Sequence, residues 1–551
     1  MPVTGKSDVA DLAAIDTETR IAASARSARS EGSVGYAGSA GSGGARPLPS
    51  GTPASQGVDS RRIAAFLDAL EAAPNVEPHS LMVLRHGKVI AQGWWTPYVP
   101  DHRQLLFSLS KSFTASAVAF AAAEGLLRLD DPAVSYFPEF EAEIVDPRSR
   151  SILLRHLLSM ASGHSAEQWG AAVTRDPADP ARGFLLGGPD REPGSVFAYN
   201  QPCTYVLAAI VQRVSGQRLV DYLRPRLLDP LGIGEIAWQQ HPAGRDQGFS
   251  GLHATTDAIA KLGQFYLQRG VWEGRRLLSE EWVDQATRVQ IDNARDGVAP
   301  DWEHGYGFQF WISRHGYRGD GAFGQYCVVL PEQDAVVAIT SEVVEDMQSV
   351  LDLVWKHLLP AFDEGPSADA GLADKADAAL AERLAELVLP LCPGSTPPEG
   401  AAEHGGPEGL VCTVNASEDA DACATGQGPI SWVHLKQCTD GTGDWILTVT
   451  ETQDTRDIRE SDSGYEDFPR GTFTVRLAPG GGWRVSGPGE LPTAVSGGWT
   501  DADTLRFDVV FLETPHRLHV TCDIALRTLD ARFATAKGNL PPTLLRAPLN
   551  R

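Results

Sequence analysis

A serine and a lysine three residues apart stand at the start of an otherwise apolar segment, residues 105–127 (LLFSLSKSFTASAVAFAAAEGLL). Of the eight lysines in the chain, Lys111 alone has a serine, Ser108, three positions before it. Positions i and i+3 lie on one face of a helix. The spacing therefore predicts that the Ser108 hydroxyl lies beside the Lys111 amine at the first turn of a helix.

Such a pair has a chemical use when the lysine is buried. Desolvation disfavours the charged ammonium, so a lysine in an apolar surround loses its proton more easily. A neutral Lys111 amine could accept the Ser108 proton and make the serine a nucleophile. The alternative is a helix-capping serine next to a solvated lysine, and the motif by itself leaves both interpretations open.

A second candidate lies in PGSVFAYNQPCTYVL, residues 193–207, where Tyr199 and Asn200 come directly before a helical pattern. A tyrosine close to a positive charge can transfer protons, because that charge stabilises the phenolate. An aromatic residue before a helix is more often a packing residue. This signal therefore needs support from the others.

The third candidate is GYRGDGAFGQ, residues 316–325, which contains Gly-x-Gly-x-x-Gly at Gly319, Gly321 and Gly324. A dinucleotide-binding fingerprint must open a helix, whereas the following residues read as strand, turn and strand. We expect these glycines to let a substrate backbone approach a strand closely. The motifs of α/β-hydrolases, zinc peptidases and P-loop nucleotide hydrolases are absent from the sequence.

Composition excludes several classes of function. The chain of 551 residues is 42% hydrophobic and 21% charged, with a net charge of −24, which argues against nucleic acid and acidic membrane surfaces as partners. No apolar run is long enough to span a bilayer, and the first residues lack the pattern of a signal peptide. We expect a cytoplasmic protein acting on a small molecule.

The cysteines fit the same interpretation. They are sparse, odd in number and without a Cys-x-x-Cys pair, so we expect buried free thiols rather than disulfides or a zinc site. No metal or other cofactor is predicted. The seven are Cys203, Cys327, Cys392, Cys412, Cys423, Cys438 and Cys522.

The order of elements predicts an α+β fold with four parts. A helix (61–73) and a hairpin turning at His86–Gly87 precede a long helical insertion, and three strand-like runs return within residues 306–342. Beyond a polar linker, alternating runs predict a small antiparallel sheet or barrel that folds separately and supplies no catalytic group. The predicted parts are a disordered tail at 1–57, a catalytic domain at 58–362, a linker helix at 363–384 and a β-rich accessory domain at 385–551.

Taken together, the three motifs resemble the class C β-lactamase-like serine hydrolases of the β-lactamase and penicillin-binding-protein superfamily. That branch includes D-aminopeptidases, 6-aminohexanoate-dimer hydrolases and related esterases. Residues of about 60–362 carry the resemblance, which implies a β-lactamase/transpeptidase-like antiparallel sheet flanked by helices. Other stretches that resemble the family are LLRLDDPAVSYFPEF (126–140), ILLRHLLSMASGHS (152–165), HATTDAIAKLGQFYLQRGVWEGRRLLSEEWV (253–283) and GYGFQFW (305–311).

The resemblance also implies roles for individual residues. Ser108 would be the acyl-accepting nucleophile, Lys111 its activating partner and Tyr199 the general base and acid. The backbone N–H groups of Ser108 and Ala322 would form the oxyanion hole. Residues expected to contact the substrate are Asn200, Gln201, Gly319, Asp320 and Gly321.

Two departures from the family pattern bear on the substrate. Gln201 stands where the family often has asparagine, and Gly319-Asp320-Gly321 stands where it has Lys-Thr-Gly or His-x-Gly. The cation that usually meets a substrate carboxylate is therefore missing, which disfavours penicillins and D-Ala-D-Ala peptides. The sequence predicts hydrolysis of a small ester or amide; the alternatives are a non-catalytic binding protein and a D-aminopeptidase- or carboxypeptidase-type peptidase.

Overall fold

The computed structural model describes residues 45–295, 297–343, 346–396, 410–413, 430–438, 442–451, 472–487, 491–514, 516–526, 528–533 and 547–548. In its first part the strands are β1 (Val76–Arg85), β2 (Lys88–Trp94), β3 (Gln104–Leu105), β4 (Ala237–Trp238), β5 (Leu252–Ala254), β6 (Val271–Trp272), β7 (Arg275–Arg276), β8 (Trp311–Ile312), β9 (Tyr317–Gly321), β10 (Gln325–Leu330) and β11 (Ala335–Val343).

The helices lie before, between and after these strands. They are α1 (Ser60–Ala72), α2 (Ser110–Ala123), α3 (Leu154–Leu158), α4 (Trp169–Arg175), α5 (Pro180–Leu185), α6 (Gln201–Ser215), α7 (Leu219–Leu223), α8 (Asp229–Leu231), α9 (Thr256–Leu267), α10 (Glu280–Ala286), α11 (Gln348–Leu353), α12 (Leu359–Glu364) and α13 (Ala370–Ala385). Helices α2 to α10 lie in the insertion that separates the two halves of the sheet in sequence.

One antiparallel sheet organises this part of the chain. Its strand order is β2-β1-β11-β10-β9-β8, so the N-terminal hairpin pairs with the last strand of the second half. The hairpin turns at His86 and Gly87, both in the left-handed region at φ 51° and 73°, as a two-residue hairpin loop requires. The predicted hairpin and the predicted α+β fold are confirmed.

Both faces of the sheet are buried. Side chains of a strand alternate between its faces, and both sets contact an apolar core. On β10, Cys327 and Val329 belong to the apolar core shared with the helical insertion. Tyr326, Val328 and Leu330 belong to the core on the opposite face, which is covered by α1 and α11. The sheet is therefore a central layer between two helical layers, as the α+β prediction requires.

The predicted tail at 1–57 needs correction for its last residues. Residues 45–57 lie against the catalytic domain: Arg46 N–H donates to the Gly232 carbonyl, and Gly51 N–H donates to the Val89 carbonyl beside β2, both at 3.0 Å. The polar, glycine-rich composition hid these backbone contacts, because they do not depend on apolar side chains. Residues 1–44 lie outside the described residues.

The C-terminal domain contains two antiparallel sheets, ordered β12-β13-β14-β15 and β16-β17-β18-β19-β20-β21. The strands are β12 (Leu410–Thr413), β13 (Ile430–Gln437), β14 (Trp445–Glu451), β15 (Thr472–Leu477), β16 (Gly480–Val485), β17 (Thr493–Trp499), β18 (Thr504–Phe511), β19 (Arg517–Asp523), β20 (Thr528–Phe533) and β21 (Ala547–Pro548). Side chains from both sheets share one apolar core, which confirms the predicted antiparallel β architecture.

The two domains are in extensive contact. Ala494, Val510 and Leu512 of the C-terminal domain are buried in the same apolar core as the face of the sheet covered by α1. The Arg517 guanidinium also forms an ion pair with Glu77 on β1. The C-terminal domain therefore packs against the catalytic domain, a contact that its separate strand pattern did not predict.

A glycine on α9 allows that helix to lie close against the sheet. A Cβ atom at Gly263 would lie 2.6 Å from Val336 Cγ1 and 2.8 Å from Cys327 Sγ, whereas one at Gly170 on α4 would meet nothing within 4 Å. We expect Gly263→Val to lower the free energy of unfolding by about 2–3 kcal/mol, because overpacking a core forces its neighbours to shift. Urea unfolding measures the change, with Gly170→Val as the control; equal effects of the two substitutions would contradict this account.

Candidate active site

Ser108 sits on a short 3₁₀ turn, Phe107–Leu109, that leads directly into α2. The turn is fixed from one side by β5, since Leu106 N–H donates to the Leu252 carbonyl at 2.8 Å and Ser110 Oγ accepts from Leu252 N–H at 3.1 Å. Ser108 keeps 9% of its surface exposed while Lys111 keeps 1%. The hydroxyl is thus closer to solvent than the amine that would activate it.

The Lys111 amine donates three hydrogen bonds inside the protein. It contacts Ser108 Oγ at 2.9 Å, Gln201 Oε1 at 2.6 Å and the Phe249 carbonyl oxygen at 2.8 Å. These partners come from the turn before α2, from the start of α6 and from the segment before β5. The structure therefore brings Ser108 and Lys111 together as their spacing predicted, and it rejects the solvated-lysine alternative.

The proton affinity of Lys111 follows from its burial. Desolvation lowers the pKa of Lys111 from 10.5 to about 7, although the negative charges of Asp320 and Glu167 act in the opposite direction. The second fully buried lysine, Lys261, instead forms a salt bridge at 2.6 Å from Nζ to Asp257. Within the described ranges no carboxylate forms such a bridge with Lys111, so its amine is able to be neutral near pH 7.

Tyr199 lies beside the amine with its ring fixed between other aromatic side chains. Lys111 Nζ is 4.8 Å from the centroid of the Tyr199 ring. The ring stacks on Trp311 at 5.1 Å with an interplanar angle of 23°, and it meets Tyr306 edge-on at 6.1 Å. The third predicted residue is therefore next to the Ser108–Lys111 pair, half-buried and held by packing.

The side chains of the two residues after Tyr199 are both held by hydrogen bonds within the protein. Gln201, the first residue of α6, directs its side-chain oxygen at the Lys111 amine. Asn200 is completely buried and its Oδ1 accepts a hydrogen bond from Gln168 N–H at 3.0 Å. Both side-chain oxygens therefore accept hydrogen bonds within the protein, and a substrate contact by either residue stays a prediction.

Two glycines of the third motif, Gly319 and Gly321, face the Ser108 turn and the start of α2, while Gly324 faces β11. A Cβ atom at Gly319 would lie 2.7 Å from Ser112 Oγ, and one at Gly321 would overlap the Leu106 carbonyl oxygen. Strand β9 can approach the turn only because these positions carry no side chain. Ala322, the predicted second oxyanion donor, follows Gly321 in the loop between β9 and β10.

The charge of Asp320 is balanced inside the protein. Arg318 Nε donates to Asp320 Oδ2 at 3.0 Å, and the guanidinium lies 4.4 Å from the Trp302 ring centroid. Positions two apart on a strand share a face, so the two side chains are natural partners. Arg318 is fully buried and is therefore not available to a substrate carboxylate, while Asp320 is a weaker source of repulsion than its isolated charge suggested.

Two residues of the site were not predicted from the sequence. The Glu167 carboxylate accepts from Trp169 N–H at 2.8 Å and from Gln201 N–H at 3.2 Å, and burial raises its pKa. Gln309 accepts from Ser112 Oγ through its carbonyl and from Thr204 Oγ1 through its side chain. Neither stands in a motif with a defined spacing, although Gln309 belongs to the quoted stretch GYGFQFW.

The predictions about metals and thiols can be compared with the structure only for the described residues. Across the described residues, no group of three or more His, Cys, Asp or Glu side chains is arranged to hold a metal ion. Cys203, Cys327 and Cys392 are buried free thiols, as predicted, while Cys522 is buried and Cys438 is half-buried. The Cys412 side chain and Cys423 lie outside the described residues. Among the described helices, none combines the length and apolar character needed to cross a membrane.

Comparison with known proteins identifies the family of the chain. Residues 63–358, more than half of the chain, match the Beta-lactamase family model. The chain belongs to the β-lactamase family. Its predicted class, a β-lactamase-related serine hydrolase, is confirmed, and the matched region contains all residues of the candidate site: Ser108, Lys111, Glu167, Tyr199, Asn200, Gln201, Gly319, Asp320, Gly321 and Ala322.

Named relatives differ in what they act on. The hydrolase is 28% identical over 310 residues to the 6-aminohexanoate-dimer hydrolase of Paenarthrobacter ureafaciens, covering 52% of this chain and 78% of that protein. It is 28% identical over 276 residues to penicillin-binding protein 4 of Amycolatopsis lactamdurans, covering 42% and 70%. It is 29% identical over 215 residues to esterase EstB of Burkholderia gladioli, covering 34% and 54%.

The electrostatics of the site predict a pH dependence of hydrolysis. A base must be neutral to accept a proton, so the rate should rise with pH through the Lys111 pKa of about 7 and level off above it. The Glu167 charge stabilises the ammonium. Glu167→Gln keeps an oxygen acceptor but removes that charge, so we expect the rising limb of kcat/KM to move to lower pH.

The measurement is a pH profile of kcat/KM for both forms of the enzyme. Asp190→Asn is the matched control, because Asp190 is an exposed carboxylate that likewise accepts a backbone N–H, that of Ser165, at 2.8 Å. A limb that stays in place in Glu167→Gln, or moves to higher pH, would contradict the assignment of Lys111 as the titrating base.

Proposed function

We propose that the enzyme hydrolyses a small ester or amide through an acyl-enzyme on Ser108, with Lys111 as the activating base. The observation that carries the proposal is the buried Lys111 amine, 2.9 Å from Ser108 Oγ and with a pKa lowered to about 7. A structural lysine gains stability from a carboxylate partner, as Lys261 does. An amine held without such a partner next to a hydroxyl suits proton transfer.

In the proposed acylation step, Ser108 Oγ attacks the substrate carbonyl carbon while its proton moves to the neutral Lys111 amine. A new carbon–oxygen bond forms and the carbonyl oxygen becomes an oxyanion. The proton then passes to the leaving oxygen or nitrogen, the scissile bond breaks and the acyl group remains on Ser108. Tyr199 is the proposed carrier of that proton, because its ring lies against the Lys111 amine.

Deacylation repeats these transfers with water in place of the alcohol or amine. Water attacks the ester carbon, gives its proton to the same Lys111–Tyr199 pair, and Ser108 Oγ recovers a proton as the acid leaves. The proposed oxyanion donors, the N–H groups of Ser108 and Ala322, serve both steps. The close approach of Gly321 to the Leu106 carbonyl supports this pairing, because it brings the loop containing Ala322 next to the Ser108 turn.

The proposed substrates are neutral at the acyl end. Gly319 leaves the first position of its motif without a cation, and the nearby Arg318 guanidinium is buried and paired with Asp320. A substrate carboxylate would have to pair with a site whose own lysine is largely neutral above pH 7. Charge complementarity therefore favours esters and simple amides over penicillins and D-Ala-D-Ala peptides.

The second candidate is an amidase for substrates with a free amine. Glu167 favours it, because this half-buried carboxylate acts electrostatically on Lys111 and so lies close to the reacting groups. A substrate ammonium would be attracted to that charge. The relative named as a 6-aminohexanoate-dimer hydrolase acts on a compound of this kind. A non-catalytic binding role is disfavoured by the retained serine, lysine and tyrosine.

We also propose that the enzyme is cytoplasmic. The buried free thiols of Cys203, Cys327 and Cys392 fit a reducing compartment, and the net charge of −24 disfavours nucleic acid as a partner.

Replacing the proposed nucleophile tests the mechanism. We expect Ser108→Ala to lower kcat by roughly 10³-fold or more and to abolish labelling by a fluorophosphonate, since no other group in the proposal forms the acyl bond. Mass mapping of the wild-type adduct should identify Ser108. Ser116→Ala is the control, because Ser116 is a buried serine of the same helix that bonds Tyr266; labelling of another serine would refute the assignment.

Substrate choice is tested with a panel of chromogenic compounds. We expect kcat/KM for short p-nitrophenyl acyl esters to exceed that for a chromogenic cephalosporin by at least about 10-fold, because the cephalosporin carboxylate finds no free cation. D-amino-acid anilides test the amine-bearing alternative. Faster hydrolysis of the cephalosporin would overturn the proposed charge preference, and faster hydrolysis of the anilides would favour the amidase.

A further inference from the structure

The C-terminal domain reaches the chain segment that precedes Ser108. In the turn between β18 and β19, the Glu513 carbonyl accepts a hydrogen bond from Leu105 N–H at 2.8 Å. The Glu513 carboxylate lies 3.7 Å from Arg103 Nη2. Strand β3, which ends three residues before Ser108, is thus held by β5 on one side and bonded to the second domain by Glu513.

Two aromatic residues next to the proposed oxyanion donors have strained backbones. Phe107, directly before Ser108, has φ 45°, and Phe323, directly after Ala322, has φ 63°. A bulky residue at positive φ costs on the order of 1–3 kcal/mol and persists only where its surroundings fix it. The two rings are packed against each other with centroids 5.1 Å apart, so each contributes to fixing the other.

His516 of the C-terminal domain packs behind this pair. Its ring centroid is 6.4 Å from that of Phe323, at an interplanar angle of 65°. The side chain is 5% exposed, its Nδ1 lies 2.7 Å from Thr514 Oγ1, and burial lowers the pKa of His516 to about 3. His516 is therefore a neutral aromatic ring at working pH, and its contact with Phe323 is one of packing.

We propose that Glu513 and His516 are positioning residues for the oxyanion hole. Glu513 fixes the strand that leads to Ser108, while His516 holds Phe323 and through it the backbone of Ala322. The C-terminal domain thereby sets the distance between the two N–H donors without touching the substrate. This inference rests on the proposed function, since it requires Ser108 and Ala322 to be the oxyanion donors.

The alternative is that these contacts only join the domains. Other contacts already do so, namely the shared apolar core with Val510 and Leu512 and the ion pair between Arg517 and Glu77. Removal of the His516 ring should therefore leave the domains associated. If the contacts only join the domains, the kcat of a variant without the ring should not change. If they position the oxyanion hole, its kcat should fall.

The experiment compares His516→Ala with His519→Ala in the full chain. His519 is the matched control, because it lies on β19 of the same domain and its Nδ1 bonds Asp508 at 2.7 Å, away from Phe323. We expect His516→Ala to lower kcat by about 10-fold or more with KM changed less than about 2-fold, as loss of transition-state hydrogen bonding requires. His516→Phe, which keeps an aromatic ring, should restore most of the rate.

Two further measurements separate positioning from stability. A boronic acid bonds covalently to a catalytic serine and mimics the tetrahedral intermediate, so its affinity should fall by the same factor as kcat in His516→Ala. Amide hydrogen exchange of the peptides containing Ser108 and Ala322 should become faster in that variant alone. If His516→Ala does not fold, His516→Leu, which keeps apolar volume without a ring, takes its place with the same expectation.

The outcomes are distinct. If wild type forms the boronate adduct on Ser108 but His516→Ala behaves like His519→Ala in rate, affinity and exchange, the positioning role is wrong and the proposed function stands. If the wild-type enzyme forms no adduct at Ser108, both the proposed function and the positioning role of His516 are wrong.

Discussion

The structure of the site depends on burying the amine of Lys111 without a carboxylate partner. Desolvating an ammonium is costly; burial lowers the pKa of Lys111 to about 7, and the charged form donates to three uncharged acceptors. Those acceptors belong to the turn before α2, to α6 and to the segment before β5. Three regions that are far apart in sequence therefore have to converge on one nitrogen atom, and the helical insertion packs around that point.

Close approach of backbone to backbone is the second requirement. The turn that carries Ser108 and strand β9, which Ala322 follows, come together because Gly319 and Gly321 leave β9 bare on the side that faces the turn. The opposite side of the same strand carries the buried Arg318–Asp320 pair. Strand β9 thus has the close backbone contact on one side and the Arg318–Asp320 ion pair on the other. Because the side chains of the strand alternate between the two sides, Arg318 points away from Ser108.

The sequence predicted the parts of the site that depend on local spacing. The Ser108–Lys111 pair follows from helix periodicity, and the hairpin at His86–Gly87 follows from turn chemistry. The contact between Gln201 and Lys111 was not predictable, because it joins residues ninety positions apart through the three-dimensional packing of α6. The sequence pattern of strand β17 is weak, because Gly497 and Gly498 interrupt it; Gly498 lies against the backbone of Ser395, where a side chain would not fit.

The apolar core that both domains share has a consequence for folding and evolution. Because Ala494, Val510 and Leu512 fill the same core as the central sheet, neither domain can lose its structure without exposing apolar surface of the other. The shared core therefore couples the stabilities of the two domains. Substitutions in β17 or β18, remote from any reacting atom, are therefore subject to the same selection for abundance as those in the catalytic domain.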